Sequence, residues 1–215
     1  MRDSHSSLSD ASIRQALQAY LPEPPGERLI SAIRCYTELL LRWNEKVSLT
    51  SLRTPEEILR VHFGESFFGA KLISAKFGRL ADIGSGAGFP GLPLKMLLPT
   101  LPVTLIESSA RKAAFLAEVV RKLELEAVDI FRGRSEDYPP EQQVDLVTAR
   151  AVGRFPELLK WAQEHLAPDG CVVLWLGSDG FESVQAMDGW TWSEPLLVPN
   201  THGRFVASAR LRLAD

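Results

Sequence analysis

Apolar residues recur at three- and four-residue steps in the first third of the chain, and in short alternating or continuous runs after that. Between Glu27 and Glu45, Leu29, Ile33, Tyr36, Leu40 and Trp43 fall on one helical face. A shorter stretch from about Ser12 to Tyr20 has the same spacing, and the prolines of "LPEPPGE" keep the two helices apart. Thr54-Pro55-Glu56-Glu57 reads as a helix start: a capping threonine, a first-turn proline, then acids suited to the positive end of a helix. The helix it opens is expected to run to about residue 75.

Beyond Gly78 the pattern changes. "RLADIG", "PVTLIE", "EAVDIFRG", "VDLVTAR" and "GCVVLWLG" read as short buried strands. Between them, "PGLPLKMLL", "SARKAAFLAEVVRKLEL" and "FPELLKWAQEHLA" carry helical periodicity. Strands alternating with helices at this spacing predict βαβ units and a parallel, doubly wound sheet. "TWSEPLLVPN" and "GRFVASARLRL" are expected as two closing strands. The expected organisation is a helical N-terminal extension over residues 1–77 and an α/β domain over 78–215.

The 215 residues are 45% hydrophobic and 24% charged, which places the chain in the ordinary globular range. No run of eighteen apolar residues is present, and the polar start "MRDSHSSLSD" lacks the apolar core of a secretion signal, so a cytoplasmic protein is expected. Cys35 and Cys171 are too few and too far apart for a disulfide framework or a metal site. A formal charge of −3 excludes binding of nucleic acid by the whole surface. The charge is uneven, however: residues 28 to 80 hold nine Lys/Arg against five Asp/Glu, so the extension is basic from about residue 28. A monomer is the default expectation.

The densest chemistry lies in "LADIGSGAGFPGLPL", residues 80–94. A glycine loop after the first strand of a parallel sheet sits at the edge where such sheets bind ligands. Gly86-Ala87-Gly88-Phe89-Pro90-Gly91 satisfies G-x-G-x-x-G, but the strand ends more naturally at Asp82-Ile83-Gly84, giving D-x-G-x-G-x-G. An acid at Asp82 would repel a pyrophosphate, and Pro90 removes an amide that would face one. A cationic nucleoside without phosphate fits better, and S-adenosylmethionine is such a ligand. Glu107, ending the second strand, is placed to take ribose hydroxyls. "GRSED" sets Ser135, Glu136 and Asp137 near the adenine, and "VDLVTAR" is expected to bring Asp145, Thr148 and Arg150 to the same edge.

What is missing discriminates as well. No [DN]-P-P-[YF] turn follows the fourth strand, where "TARAVG" stands, so an exocyclic amine is a poor target. Neither cysteine is placed as the thiolate that C5 methylation of a pyrimidine requires. What remains is a substrate atom nucleophilic enough to attack a sulfonium methyl unaided; guanine N7 is one, with an in-plane lone pair and no proton, needing positioning rather than a general base. In an RNA helix N7 faces a groove closed to side chains, so the base must lie in an open loop or be everted.

The segments "LLLRWNEKVSLTSLRTPEEILRVHFGES", "ADIGSGAGFPGLPLKMLLP", "VTLIESSARKAAFLAEVV", "GRSED", "VTARAVG" and "GRFVASAR" together resemble the small-subunit ribosomal RNA (guanine-N7) methyltransferase G family, also called glucose-inhibited division protein B. The resemblance implies a class I S-adenosylmethionine-dependent fold, Rossmann-like, with a seven-stranded, mostly parallel sheet behind the helical extension. It implies N7-methylguanosine at position 527, in the 530 loop of 16S ribosomal RNA, made in naked RNA or in an assembling small subunit. Carried over by motif, Gly84, Phe89, Ser135, Glu136 and Arg150 contact the cofactor; Glu107 joins them as a ribose candidate by position, and Asp82, Gly86 and Gly88 through the glycine-loop pattern. Arg150 and Phe89 would position the reactants, with no general base, no metal and no membrane. Arg53, His62, Arg204 and Arg210 are similar to RNA-facing residues. Two departures stand out: the family's R-H-x-x-D-S reads Val61-His62-Phe63-Gly64-Glu65-Ser66 here, and Leu176 stands where a lysine commonly precedes Gly177. A small-molecule methyltransferase and a non-catalytic RNA-binding or assembly module on the same fold are the alternatives. A nicotinamide oxidoreductase is disfavoured by Asp82 and Pro90.

Overall fold

The structure is a computed structural model that describes residues 8–74, 78–150 and 153–212. The expected helix end at residue 75 and the expected boundary at residue 77 fall outside them. The first helices are α1 (Asp10–Leu17), capped by the Ser9 side chain, and α2 (Glu27–Asn44). On α2 the buried stripe is Ile30, Ile33, Tyr36, Thr37, Leu39, Leu40 and Asn44, so Leu29 and Trp43 sit at its margin rather than on it.

Thr54 caps the next helix with a reciprocal box, its side chain accepting from the Glu57 amide and Glu57 accepting from the Thr54 amide. That helix is not uniform. It runs as α3 (Pro55–Glu57), a π-helical segment (Ile58–Gly64), α4 (Glu65–Gly69) and a 3₁₀ turn (Ala70–Leu72). A π-segment of this length is rare and found mostly at functional sites, because the wider turn re-aims side chains and carbonyls.

The strands are β1 (Leu80–Ile83), β2 (Val103–Ile106), β3 (Val128–Phe131), β4 (Val144–Arg150), β5 (Leu166–Gly177), β6 (Trp190–Trp192), β7 (Leu196–Leu197) and β8 (Arg204–Leu211). They form one sheet in the order β3-β2-β1-β4-β5-β8-β6, with β7 paired to β8 off that path. β1 to β5 are mutually parallel, and β8 runs antiparallel to β5, β6 and β7. "TWSEPLLVPN", expected as one strand, is two short ones, β6 and β7. The crossover helices are α5 (Gly91–Leu97), α6 (Ala110–Lys122) and α7 (Phe155–His165). Helix α8 (Ser178–Gln185) has no counterpart in the sequence expectations; it is eight residues long, and Val184 is its one buried residue.

Successive strand residues point to opposite faces and feed two apolar clusters. Leu80, Leu105, Leu146, Val173 and Val206 join one, which also takes in Ile13, Leu17, Ile33, Tyr36, Phe63 and Phe67 of the N-terminal helices. Ala81, Ile106, Val147, Leu174 and Ala207 join the other, beneath Leu158 and Trp161 of α7. The helical extension thus completes one layer of the sheet's own core. Trp175, at the end of β5, carries this packing to the site: its indole donates to the Glu65 carbonyl at 2.7 Å.

The contact is close enough that a Cβ at Gly69 would lie 2.1 Å from the Trp175 ring. Gly69→Ala should therefore destabilise the protein by roughly 1–3 kcal/mol through overpacking. At this chain length that is a fall in Tm of several degrees, read by thermal unfolding. An unchanged Tm would show that the seam yields freely.

Candidate active site at the carboxyl edge of the sheet

The loop after β1 turns through three glycines with positive φ, Gly84 (67°), Gly86 (58°) and Gly88 (86°). At Gly88 no other residue fits, since a Cβ would stand 2.3 Å from the Tyr36 hydroxyl. Two carboxylates hold the loop in place. Glu107 accepts from the Gly86 amide at 2.9 Å through Oε2 and from the Ser109 amide at 2.7 Å through Oε1. Asp82 is wholly buried, accepting from the Thr148 hydroxyl at 2.8 Å and from the Gly91 amide at 3.3 Å. It stands behind the loop, and burial pushes its carboxyl up to about 6 against the pull of Thr148, Ser85 and Gly91. Thr148 faces Asp82 rather than the sheet edge. Asp145 is placed differently from expectation: it opens β4, at the opposite edge, where its carboxylate accepts from the Arg79 amide at 2.7 Å.

Two cavities open along the carboxyl edge. The first, of about 370 Å³, is lined by Ile83 and Gly84 after β1, Glu107 after β2, and Ser135, Glu136 and Trp161. Ser135–Asp137 forms a 3₁₀ turn, fixed where the Trp161 indole donates to the Ser135 carbonyl at 2.7 Å. The donor set fits an uncharged base with its ribose: Ile83, Ile106, Leu158 and Trp161 offer apolar surface, while Glu107 and Glu136 present acceptors. Gly84, Glu107, Ser135 and Glu136 are the expected cofactor residues that reach this cavity.

The second cavity, of about 380 Å³, lies between the N-terminal helices and the ends of β4, β5 and β8. Thr50, His62, Glu65, Arg150, Trp175 and Arg204 contribute to it, with Leu176 and Phe205 on the apolar side. Arg150 is its structural pivot. One guanidinium nitrogen donates to the Val61 carbonyl of the π-segment at 2.9 Å, and the other to His62 Nδ1 at 2.6 Å. Since arginine has only donors, His62 Nδ1 must accept, so the proton sits on Nε2, which donates to the Thr50 hydroxyl at 2.8 Å. The His62 ring stacks on Phe89 at 4.4 Å, and Tyr36 covers the other face of Phe89 at 5.1 Å. Phe89 is thus packed in the core and lines neither cavity.

Thr50 and Asn44 carry functions that residue-type reasoning alone had not assigned. Asn44 accepts from the Leu49 and Thr50 amides and donates to the Thr50 carbonyl, so one buried amide folds the loop that presents Thr50 to His62. This loop is the "WNEKVSLTS" part of the first family-like segment, and its Trp43 indole donates to Glu118 of α6. Arg53 is exposed and lines neither cavity. Arg204 is at the mouth of the second cavity, 2.7 Å from Glu65. Arg210 is not brought there: β8 runs antiparallel to β5, which carries Arg210 to the far edge, on the order of 20 Å along the strand. Among the described residues no group of three or more His, Cys, Asp or Glu is arranged to hold a metal, and no helix is long and apolar enough to cross a membrane.

Burial and the neighbouring Arg150 charge pull His62 down from 6.5 to about 3, so it is neutral in the folded protein. Its contribution to stability is intact above pH 6.5 and drains as the pH falls towards 3, where the unfolded chain gains a proton that the folded one refuses. Asp82, raised to about 6, runs the other way: its contribution is full below 3.8 and is lost as the pH rises through 6. In paired urea titrations, the stability gap between wild type and His62→Gln should narrow by roughly 2–3 kcal/mol from pH 7 to pH 4.5, at about 1.36 kcal/mol per pKa unit. A gap independent of pH would mean that His62 is protonated in place.

Residues 29–197 match the family model described as rRNA small subunit methyltransferase G. Ribosomal RNA small subunit methyltransferase G of Desulfitobacterium hafniense is 40% identical over 188 residues, 86% of this chain and 76% of that protein. The protein of the same name from Roseiflexus castenholzii is 41% identical over 158 residues, 68% of each chain. Among solved structures, a putative O-methyltransferase from Klebsiella pneumoniae superposes with a TM-score of 0.63 at 16% identity, over 94% of this chain and 97% of that one. A ribosomal protein L11 methylase from Lactobacillus delbrueckii gives 0.61 at 14% identity, over 72% and 80%. At such identities the structural likeness establishes the class I methyltransferase fold alone. With four-fifths of its length inside the family model and the glycine loop, the Asn44 loop and the Arg150–His62 contact built from the shared segments, the chain belongs to the rRNA small subunit methyltransferase G family.

Proposed function

We propose that the protein transfers the methyl group of S-adenosylmethionine to N7 of a guanine in 16S ribosomal RNA, at position 527 in the 530 loop. The observation that carries this reading is the pair of cavities on one sheet edge. One is fitted to a nucleoside, and the other is walled by aromatic and basic side chains. Bound S-adenosylmethionine would supply an electrophilic methyl, held through Gly84, Glu107 and the Ser135-Glu136 turn. The chemistry so supplied would be direct transfer of that methyl to the N7 lone pair, with the S–C bonding pair leaving on sulfur. No proton has to be removed, so the transfer calls for no general base.

What the chain contributes is placement. Arg150 and His62 are locked by hydrogen bonds on both sides, and such a wall is worth more for in-line transfer than a mobile one. His62, held neutral, adds no positive charge beside a base that gains one on methylation. Asp82, Gly86, Gly88 and Phe89 act on the cofactor through the loop they shape. Arg204 and Arg53 would meet phosphate, and the substrate is the small subunit or its RNA in the cytoplasm, with the protein acting as a monomer.

Incubating the protein and labelled S-adenosylmethionine with small subunits unmethylated at this site should yield one N7-methylguanosine. Scission specific for that base should map it to the 530 loop. Label in protein or small molecules, with none in RNA, would favour the small-molecule reading. Cofactor binding without transfer to any acceptor would favour the non-catalytic one. Glu107→Gln should weaken cofactor binding about tenfold in an equilibrium titration, since it alters both the ribose acceptor and the clamp on Gly86. Unchanged affinity would remove Glu107 from the cofactor site.

A further inference from the structure

Glu65 is the one carboxylate among the residues lining the second cavity, and the reading above gives it no role. It is 4% exposed, and its Oε1 accepts no hydrogen bond. Arg204 Nη1 lies 2.7 Å away as an ion-pair partner, and that side chain is 45% exposed, at the mouth. The backbone of Glu65 is fixed by the Trp175 indole at 2.7 Å, so the carboxylate is presented by a rigid wall. Trp175 and Phe205 supply flat apolar surface on which an unstacked base can lie.

A buried carboxylate whose close partner is an exposed, exchangeable guanidinium selects for adjacent donors, because losing that partner without replacement would leave a desolvated anion unmatched. Among the four RNA bases, only guanine offers two neighbouring donors on its Watson–Crick edge, N1–H and the N2 amino group. Adenine and cytosine each set one donor beside an acceptor, and uracil flanks its single N–H with two carbonyls that a carboxylate repels. The Watson–Crick edge also lies across the ring from N7. A guanine gripped there turns N7 away from Glu65, leaving it free for the methyl group.

We propose that Glu65 is the residue that reads the target base as guanine, accepting from N1–H and the N2 amino group. In this arrangement Arg204 screens the carboxylate in the free protein and exchanges it for an RNA phosphate on binding. The ion pair then becomes two separate contacts, carboxylate to base and guanidinium to backbone. The proposal rests on the guanine-N7 methyltransferase reading.

The test uses small subunits reconstituted with guanosine or inosine at the target position. Inosine keeps N7 and N1–H and lacks the N2 amino group. Wild type should methylate the guanosine particle with a kcat/KM on the order of tenfold above the inosine one. Glu65→Gln, which keeps the shape but offers a donor where an acceptor is needed, should reduce that ratio to below about twofold. Glu65→Ala should do the same, and Arg204→Ala should lower kcat/KM for both particles while keeping their ratio. Cofactor affinity and Tm of each variant, measured alongside, separate misfolding from lost recognition. A Glu65→Gln protein that binds cofactor normally and retains the full tenfold preference overturns the proposal. Equal rates on both particles by wild type also overturn it and leave the methyltransferase reading standing, whereas no transfer to either particle sinks that reading itself.

Discussion

The site depends on one half-buried guanidinium. Arg150 closes β4, in the centre of the sheet, and both of its described hydrogen bonds go to the π-segment of the N-terminal helices. A cation largely withdrawn from water must find acceptors and countercharge, and these come from the Val61 carbonyl, His62, and the nearby Glu65 and Asp82 carboxylates. Satisfying that one group fixes the register between helices and sheet. It also fixes the tautomer of His62, and through His62 the position of Thr50. The wider π-turn is the local deformation that brings Val61 and His62 within reach together.

The same logic explains the glycine loop. Its three left-handed glycines would be floppy in isolation. They are held because Glu107 grips Gly86 from one side, Tyr36 fills the space at Gly88 from the other, and Asp82 takes the amide that opens α5. Phe89 is then clamped between Tyr36 and His62. The loop, the N-terminal helices and Arg150 form one packed unit between the two cavities. The two cavities cannot shift independently without breaking that unit, and rigid spacing is what the direct transfer proposed above requires.

The charge arrangement fits a modestly charged enzyme that contacts RNA locally. The exposed cation at the second cavity, Arg204, is partly neutralised by Glu65. Phosphate contacts position RNA without reading it, so discrimination among bases has to come from inside the cavity. There the walls are apolar, apart from Glu65, the Arg150–His62 pair and Thr50 with its neighbour Ser51.

Much of this was legible in the sequence. Helical periodicity, the capping box at Thr54, the βαβ alternation and the D-x-G-x-G-x-G loop are local signals, set by side-chain spacing and backbone sterics within a few residues. They determined the helical extension, the parallel sheet and the edge on which the site lies. They also assigned Gly84, Glu107, Ser135 and Glu136 to a cavity those residues do line. What only the tertiary structure decided was direction and partner. Asp82 and Phe89 sit in the right motif but face the core. Asp145 and Arg210 lie in the right strands but at the wrong edge, because strand polarity and the antiparallel course of β8 are not written in any one segment. Thr50, Asn44 and Glu65 acquire their meaning from Arg150 and Trp175, at least a hundred residues away for all but one of these pairings. A buried charge chooses its partners by who is near in space, and that is settled only when the helices close over the sheet.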